Sequence, residues 1–257
     1  MTTDFRSAMS VAPTSAGIFL DFDGTLSHIV EMPADARPVE GAREVLSELS
    51  ERIGVVALVS GRSASHLLEW MGSEIEIWGV HGAERVVDGR VELSEAAAPF
   101  RELMTRLHGE LTERTARLEG VAVEDKAVVI GLHYRNAPVE EPARNALEKL
   151  AAEVAREHDL EVSKGRMVIE LRAPVEFSKA DVVRRRARDL ELRAAAFIGD
   201  DTVDLPAFDA LDELRASGLA TARVAVRSDE SPEELLRRAD DIVDAPEGAV
   251  AWLRSLL

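Results

Sequence analysis

Residues 18–26 read Ile-Phe-Leu-Asp-Phe-Asp-Gly-Thr-Leu, a short apolar run that ends in two carboxylates. A run of this kind, bounded by a turn, is typical of a buried strand in a parallel sheet. Asp21 and Asp23 can converge on one reacting centre, where one attacks as a nucleophile and the other transfers protons. Gly24 permits a positive φ or the close approach of a ligand. For this stretch alone, an acidic turn without chemistry is an equally good interpretation.

Three further apolar runs end in polar residues, which predicts an open parallel sheet. They are Val55–Val59 before Ser60-Gly61-Arg62, Ile75–Val80 before His81-Gly82, and Ala194–Ile198 before Gly199-Asp200-Asp201. Helical patterns alternate with these runs, at Glu40–Arg52, Ser63–Trp70, Lys179–Leu190 and Leu205–Leu214. The alternation predicts a doubly wound α/β core, in which ligands bind beyond the carboxyl ends of the strands.

The middle of the chain has a different pattern, which predicts an inserted α+β unit. It consists of a long helical pattern at Ala97–Leu118, two strand-like pieces within Val121–Arg135, a second helix at Glu141–His158, and a hairpin of Leu160–Val162 with Met167–Leu171. We therefore expect a core formed by residues 1–90 together with 173–257, and an inserted α/β cap at 91–172.

Composition excludes several classes of function. The 257 residues include 31 Lys and Arg against 48 Asp and Glu, a formal charge of −17, which disfavours nucleic acids and anionic membranes as partners. The basic run Arg184–Arg188 is interpreted as a solvated helix face.

The absence of cysteine excludes disulfides and thiolate chemistry. No apolar run approaches the ~18 residues of a membrane span. The first 17 residues lack the layout of a signal peptide, so we expect a cytoplasmic protein.

The other candidate residues are weak signals when they are taken one at a time. The Ser60 hydroxyl follows a predicted strand and can hold a phosphoryl oxygen, although Ser-Gly there is usually a plain turn. Lys179 opens a helix, where a lysine is usually a solvated charge. Asp200, Asp201 and Asp204 suit an oxygen-liganded divalent cation such as Mg²⁺. The alternative interpretation is an acidic first helical turn that complements the helix dipole.

Taken in order, these segments resemble the haloacid dehalogenase superfamily of phosphotransferases. The shared features are D-x-D-G-T at 21–25, a strand-end serine at 60, Lys179, and G-D-D-x-x-D at 199–204. The long gap between Ser60 and Lys179 is where that superfamily inserts a cap. The resemblance implies a haloacid dehalogenase-like core with an inserted α+β cap that determines substrate specificity.

Within the superfamily the chain is similar to the trehalose-6-phosphate phosphatases along nearly its whole length. The stretches that carry this similarity are Asp21–Leu26, Ala36-Arg37-Pro38, Val59–Arg62, Val80–Glu84, Leu132–Arg135, Val168–Arg172 and Gly199–Phe208. The resemblance implies hydrolysis of trehalose 6-phosphate to trehalose and phosphate. It also implies a functional link to a trehalose-phosphate synthase, and we favour a monomer.

The resemblance assigns roles to the candidate residues. Asp21 is the expected nucleophile that forms an aspartyl-phosphate, and Asp23 the expected acid and base. Ser60 and Lys179 are expected to neutralise charge on the transferring oxygens. Mg²⁺ is expected on Asp21, the backbone carbonyl of Asp23, and Asp200. Around these, Asp201 and Asp204 are expected to orient waters or Lys179.

Substrate contacts are predicted on both parts of the chain. Arg62 can reach the phosphate, or it can form a structural salt bridge. His81 and Glu84 lie at the end of a predicted core strand. The predicted cap sheet offers a polar face towards the sugar or towards solvent, with the candidates Glu124, Lys126, His133, Arg135 and Glu170.

Three other interpretations remain open. The first is a phosphatase or phosphomutase that acts on another sugar phosphate. The second is an inactive subunit that binds a glycosyltransferase partner, which the complete set of catalytic groups disfavours. The third is a carbohydrate-binding module, which would not need two carboxylate clusters and would normally carry more aromatic residues than three Trp and one Tyr.

Overall fold

The computed structural model describes residues 4–30, 32, 35–165 and 167–257. Residues 1–3, 31, 33 and 34 of the expected core and residue 166 of the expected cap lie outside the described residues. The chain divides into a core unit, 1–92 with 177–257, and an inserted unit, 93–176. The sequence alone places these boundaries near 91 and 173.

The secondary structure elements are numbered in chain order. The strands are β1 (Ala16–Leu20), β2 (Val55–Val59), β3 (Glu76–Gly79), β4 (Glu84–Val87), β5 (Arg90–Leu93), β6 (Ala122–Lys126), β7 (Val129–His133), β8 (Glu161–Gly165), β9 (Val168–Arg172), β10 (Ala194–Gly199), β11 (Ala220–Arg227) and β12 (Asp241–Asp244). The α-helices are α1 (Phe5–Val11), α2 (Ala42–Ser50), α3 (Ala64–Met71), α4 (Arg101–Thr115), α5 (Glu140–His158), α6 (Lys179–Asp189), α7 (Leu205–Ala216), α8 (Glu233–Arg238) and α9 (Ala245–Arg254). Short 3₁₀ helices lie at Pro13–Ser15, Val80–Gly82, Ala98–Phe100 and Thr202–Asp204.

The core unit contains the predicted parallel sheet, in the order β12-β11-β10-β1-β2-β3-β4-β5. The strands from β12 to β3 run parallel. β1 pairs with β10 on one side and β2 on the other, so that Phe19 lies opposite Phe197 and Ala57. The prediction of an α/β fold with a parallel sheet is confirmed.

Helices cover both faces of this sheet because its central strands are apolar on both sides. Ile18 and Leu20 of β1 point into a core that they share with α1, α2, α3 and α9. Phe19, between them, points into a second core with α6, α7 and α8. All three side chains are fully buried. Because β1, β2, β3 and β10 are parallel, their carboxyl ends lie at one edge of the sheet. The predicted site residues follow the strands at this edge.

Two parts of the core unit are absent from the sequence interpretation. One is α1, whose N-terminus is capped by the Asp4 carboxylate. The other is the hairpin of β4 and β5, and β4 runs antiparallel to β3. Its turn residues Asp88 and Gly89 both have a positive φ, 50° and 72°. These values are characteristic of the type I′ turn that an Asp-Gly pair favours.

The inserted unit is an antiparallel sheet with helices α4 and α5. Its strand order is β6-β7-β9-β8. One face of this sheet packs on the helices through a core that includes Leu107 of α4, Leu147 of α5 and Ile130 of β7. The residues that alternate with the buried ones project from the other face of the sheet.

The helix predicted at Ala97–Leu118 is shorter than expected. The structure has a 3₁₀ turn at Ala98–Phe100, and the α-helix begins only at Arg101 and ends at Thr115. Pro99 has no amide hydrogen to donate within such a turn. None of the helices in the described part of the chain combines the length and the hydropathy needed to cross a membrane.

We expect Gly79→Ala to destabilise the core unit and Gly109→Ala to stabilise the inserted unit. A Cβ at Gly79, the last residue of β3, would lie 2.3 Å from the backbone nitrogen of Ala64, so α3 would have to move. Gly109 lies in the middle of α4 with open space around it, and alanine there should add about 0.5–1 kcal/mol. Urea denaturation of both variants checks this. A Gly79→Ala variant as stable as wild type would contradict the packing of α3 on β3.

Candidate active site

Two acidic residues lie side by side because their strands are neighbours. Asp21 follows β1 and Asp200 follows β10, and the backbone N–H of Asp21 donates to the carbonyl of Ile198 at 2.9 Å. Both carboxylates are buried, with exposed fractions of 6% and 5%. Asp21, Asp200 and Asp204 each offer a carboxylate oxygen, and these oxygens lie within 4.8 Å of one another.

Lys179, the first residue of α6, is buried between two of these carboxylates. Its Nζ lies 2.7 Å from Asp21 Oδ2 and 2.7 Å from Asp204 Oδ1. Burial by itself lowers the pKa of an ammonium, but the charges of Asp204 and Asp21 outweigh it and raise the pKa of Lys179. The side chain is therefore a charged, fixed member of the site rather than a solvated helix lysine.

Asp204 organises the loop that carries Asp200. Its Oδ2 accepts from the backbone N–H groups of Asp200 at 3.0 Å and Asp201 at 3.2 Å. The Asp201 carboxylate in turn accepts from the backbone N–H of Asp204, which completes a capping box at this 3₁₀ helix, and also from the N–H of Thr202 at 2.6 Å. Gly199 leaves room for this arrangement, because a Cβ there would lie 2.4 Å from the Asp204 carboxylate carbon. Asp204 thus positions both Lys179 and the acidic loop, whereas the Asp201 carboxylate serves the loop itself.

Gly24 lets the acidic loop approach the turn after β1. Its φ is +72°, and a Cβ there would lie 1.9 Å from Asp200 Oδ2. The buried hydroxyl of Thr25 donates to Asp200 Oδ1 at 3.2 Å. The sequence interpretation did not include Thr25 among the site residues, although its place directly after Asp-x-Asp-Gly was a signal. Both residues hold Asp200 against the turn that carries Asp21.

The acidic group fits a divalent cation. Burial raises the pKa of Asp21 to about 7, and the Lys179 ammonium offsets this only in part. Burial, together with the charge of Asp21, raises the pKa of Asp200 to about 8. Within the described residues one ammonium contacts this group of three carboxylates, so ionisation of all three would leave two negative charges to be balanced. A hard cation of charge +2 with oxygen ligands matches both the charge and the donor set.

Asp23 lies on the same turn but has a different partner. Its two oxygens accept from Arg62, with Nε to Oδ2 at 2.7 Å and Nη2 to Oδ1 at 2.6 Å. Of the two roles that the sequence left open for Arg62, the structure shows the salt bridge. Phe22, between the two acids, is fully buried and anchors the turn in the core.

The loops after β2 and β3 are joined by backbone hydrogen bonds. The N–H of His81 donates to the Ser60 carbonyl at 2.8 Å, and the N–H of Val80 to the Arg62 carbonyl at 2.9 Å. The His81 ring lies over Gly61, where a Cβ would meet its Nε2 at 2.9 Å. Val80 and His81 both have a positive φ, 47° and 57°, which is costly for residues with a side chain. This strained segment holds His81 against the segment that follows Ser60.

Ser60 and Glu84 are both buried but have different surroundings. The Ser60 Oγ accepts from the backbone N–H of Arg62 at 3.3 Å. The Glu84 carboxylate accepts from the backbone N–H of Ala64 at 2.6 Å. Ala64 is the first residue of α3, so Glu84 caps this helix from the neighbouring strand β4.

The inserted unit brings four of its five candidate residues together. Glu124, Gly131, Glu170 and Ser163 occupy one row across β6, β7, β9 and β8, on the face opposite the helices. Lys126 Nζ lies 3.3 Å from a Glu124 oxygen and 3.6 Å from a Glu170 oxygen. His133 Nε2 lies 2.8 Å from Glu124. We refer to Glu124, Lys126, His133 and Glu170 as the sheet-face cluster.

Charge pairing within the sheet-face cluster is close. Burial opposes ionisation of Glu124, but the His133 hydrogen bond and the Lys126 charge lower its pKa to about 2. Ser163, which the sequence interpretation missed, donates to Glu170 Oε2 at 3.2 Å. Ser163 is recognised as a member of this row only from the strand register, which places it opposite Glu170. The cluster is a preformed set of donors and acceptors.

Arg135 is not part of a strand, contrary to the sequence interpretation. β7 ends at His133, and Arg135 lies in the following turn with an exposed side chain. The alternation of buried residues continues to Tyr134, whose N–H donates to the Met167 carbonyl at 3.1 Å. The chain turns directly after it, where the N–H of Ala137 donates to the Tyr134 carbonyl at 3.1 Å.

Comparison of the sequence with known proteins identifies the family of this chain. The family model described as trehalose-phosphatase matches residues 19–241. The trehalose-phosphate phosphatase of Mycolicibacterium paratuberculosis is 36% identical over 215 residues, which are 79% of this chain and 53% of the relative. The chain therefore spans about half the length of the curated relatives that it matches.

Solved structures show the same fold. A trehalose-6-phosphate phosphatase related protein superposes with a TM-score of 0.75 at 24% identity, over 93% of this chain and 96% of the other. A haloacid dehalogenase-like hydrolase from Bacteroides thetaiotaomicron superposes with a TM-score of 0.61 at 16% identity, over 94% and 99%. Because the family model extends over the inserted unit and most of the core unit, the chain belongs to the trehalose-phosphatase family.

Proposed function

We propose that this protein is a Mg²⁺-dependent phosphatase that hydrolyses trehalose 6-phosphate to trehalose and phosphate. The observation that carries the proposal is the buried group of Asp21, Lys179 and Asp200 at the carboxyl edge of the parallel sheet. A carboxylate nucleophile, a fixed cation and a site for a divalent metal are what phosphoryl transfer requires. Family membership supports the choice of substrate.

In the first step, Asp21 attacks phosphorus and forms an aspartyl-phosphate. The bond between phosphorus and the sugar oxygen breaks, and its electron pair stays on the oxygen. Asp23 gives a proton to that oxygen, so the product leaves as neutral trehalose. Lys179 lies 2.7 Å from Asp21, where its charge is positioned for the phosphoryl oxygens. The Ser60 hydroxyl is proposed to contact the same oxygens.

In the second step, water hydrolyses the aspartyl-phosphate. Asp23, now a carboxylate, takes a proton from the water while the water oxygen attacks phosphorus. The bond between phosphorus and the Asp21 oxygen breaks and returns the electron pair to Asp21. Phosphate leaves, and Asp21 and a protonated Asp23 are regenerated, so the atoms and charges of the cycle balance.

Asp21, Asp200 and the backbone carbonyl of Asp23 are the proposed ligands of magnesium. When bound, the ion would act as a Lewis acid on the transferring phosphoryl group. Asp204 keeps Lys179 and the acidic loop in place, and Asp201 stabilises the loop.

We further propose that the sheet-face cluster and Arg135 bind the sugar hydroxyls, with Arg62, His81 and Glu84 as core-unit contacts to the substrate. Glu170 carries most of this proposal, because a carboxylate can accept from two hydroxyls and its neighbours Lys126 and Ser163 fix its orientation. The proposal extends to supply of the substrate by a trehalose-phosphate synthase, and to a monomer in the cytoplasm.

The experiment that tests the function is phosphate release from a panel of sugar phosphates with Mg²⁺ present. Trehalose 6-phosphate should give the highest kcat/KM. A wild-type preference for glucose 6-phosphate would replace this assignment with another sugar phosphatase, and activity that requires a sugar bisphosphate would indicate a phosphomutase.

We expect Asp21→Asn to lower kcat at least about 10³-fold, because the amide keeps the shape but is not a nucleophile. Its melting temperature should stay near that of wild type, because loss of the ion pair with Lys179 is offset by relief of the repulsion between Asp21 and Asp200. Asp88→Asn in the exposed turn of the β4–β5 hairpin makes the same chemical change away from the site and should retain full activity. Asp21→Asn activity within tenfold of wild type would refute the assignment of the nucleophile.

We expect chelation to stop turnover and Mg²⁺ to restore it and raise the melting temperature. An ion present at 100 times its Kd adds about 2.7 kcal/mol to the free energy of unfolding. Without metal, Asp200→Asn should be at least as stable as wild type, because repulsion with Asp21 is relieved. The melting temperature of the same variant, measured by differential scanning calorimetry, should no longer rise with Mg²⁺. Full activity in excess chelator would contradict the metal site, as would an Asp200→Asn melting temperature that rises with Mg²⁺ as much as that of wild type.

We expect Glu170→Ala to lower kcat/KM for trehalose 6-phosphate by roughly 10- to 150-fold, because a charged hydrogen bond contributes about 1.5–3 kcal/mol. Hydrolysis of 4-nitrophenyl phosphate, which has no sugar, should change little. Glu113→Ala on the exposed face of α4 is the matched control and should affect neither substrate. An equal loss with both substrates would show that Glu170 supports the fold or the chemistry rather than sugar recognition.

A further inference from the structure

Trp70, near the end of α3, is surrounded by groups that belong to the active-site turn. The Phe22 ring stacks on it with centroids 5.3 Å apart and an angle of 26° between the planes. The Arg62 guanidinium carbon lies 5.0 Å from its ring centre and 5.7 Å from the centre of Phe22. The Arg37 guanidinium carbon lies 5.4 Å from the Trp70 ring. Trp70 therefore contacts both the residue between the two acids and the arginine that binds Asp23.

The aromatic surroundings limit the orientations that Arg62 can adopt. Its side chain is only 14% exposed, and a planar guanidinium packs well against aromatic faces. Attraction between a cation and a ring strengthens when water is excluded. Held in this way, Arg62 donates two hydrogen bonds to the two oxygens of Asp23, which fixes the plane of the carboxylate.

We propose that Trp70 is a positioning residue that acts through Arg62 to hold the Asp23 carboxylate in place for the hydrolysis of the aspartyl-phosphate. Each Asp23 oxygen that accepts from Arg62 keeps a second lone pair, which can take the proton of the attacking water. This inference rests on the proposed function, because it presupposes a two-step reaction in which Asp23 acts as the base of the second step.

The test uses 4-nitrophenyl phosphate, because its good leaving group needs no proton in the first step. Trp70→Leu should lower the steady-state kcat about 5- to 30-fold. It should release about one equivalent of nitrophenolate per enzyme in a fast initial burst, because the first step stays intact while the second is slowed. Trp70→Phe keeps an aromatic face and should stay within about threefold of wild type.

Combined variants separate positioning from general support of the fold. In an Arg62→Ala background, Trp70→Leu should change kcat less than twofold, since its effect passes through Arg62. Trp252→Leu is the matched control, because Trp252 stacks on Phe5 at 6.1 Å and lies under Arg6 at 5.0 Å, far along the chain from the acids. It should lower the melting temperature and leave kcat and the burst unchanged.

The outcomes distinguish this inference from the proposed function. Three results would overturn the role of Trp70. In the first, the kcat losses of Trp70→Leu and Arg62→Ala multiply in the double variant. In the second, the burst amplitude of Trp70→Leu falls together with its kcat, and in the third, Trp70→Phe loses as much kcat as Trp70→Leu. A wild-type enzyme that hydrolyses 4-nitrophenyl phosphate but not trehalose 6-phosphate would overturn only the proposed substrate. A wild-type enzyme that hydrolyses neither would overturn both.

Discussion

A buried ammonium is stable only where opposite charge surrounds it, and the core unit meets this requirement at Lys179. Its two partners come from different segments: Asp21 from the turn after β1 and Asp204 from the helical turn after β10. The ion pairs therefore bring the start of α6 and the ends of two strands together. Because the acids outnumber the ammonium, the interaction that orders the site also leaves it ready for a cation.

Much of the core site could be predicted from sequence because parallel strands simplify the geometry. Asp21 and Asp200 each come directly after an apolar strand, and the carboxyl ends of such strands lie at one sheet edge. Lys179 opens a helix instead, and only the resemblance to a family placed it with the two acids. The hairpin of β4 and β5 escaped the same reasoning, because its residues are mostly half-buried or exposed and form no apolar run. The pair Asp88-Gly89 was its only strong signal.

Contacts that depend on side-chain direction could not be predicted. Trp70 looks in the sequence like any apolar residue on the inner face of a helix, and only the structure shows it against Phe22 and Arg62. The sequence likewise allowed Arg62 to bind phosphate, because the salt bridge with Asp23 depends on rotamers and not on spacing. In the inserted unit, Arg135 was placed on a strand because the alternation of buried residues continues to Tyr134, directly before the turn closed by Ala137.

The order of the chain has a consequence for how the protein folds. Thr25 and Asp200 touch but are 175 residues apart in the sequence, and β1 lies between β2 and the much later β10. Contacts of such long range form slowly, because a large loop must close before they contribute stability. The inserted unit is continuous in sequence, so on a ribosome it can fold while β1 still lacks one neighbour. We therefore expect the group of Asp21, Lys179 and Asp200 to assemble on the nascent chain after the inserted unit, once β10 and Asp200 have emerged.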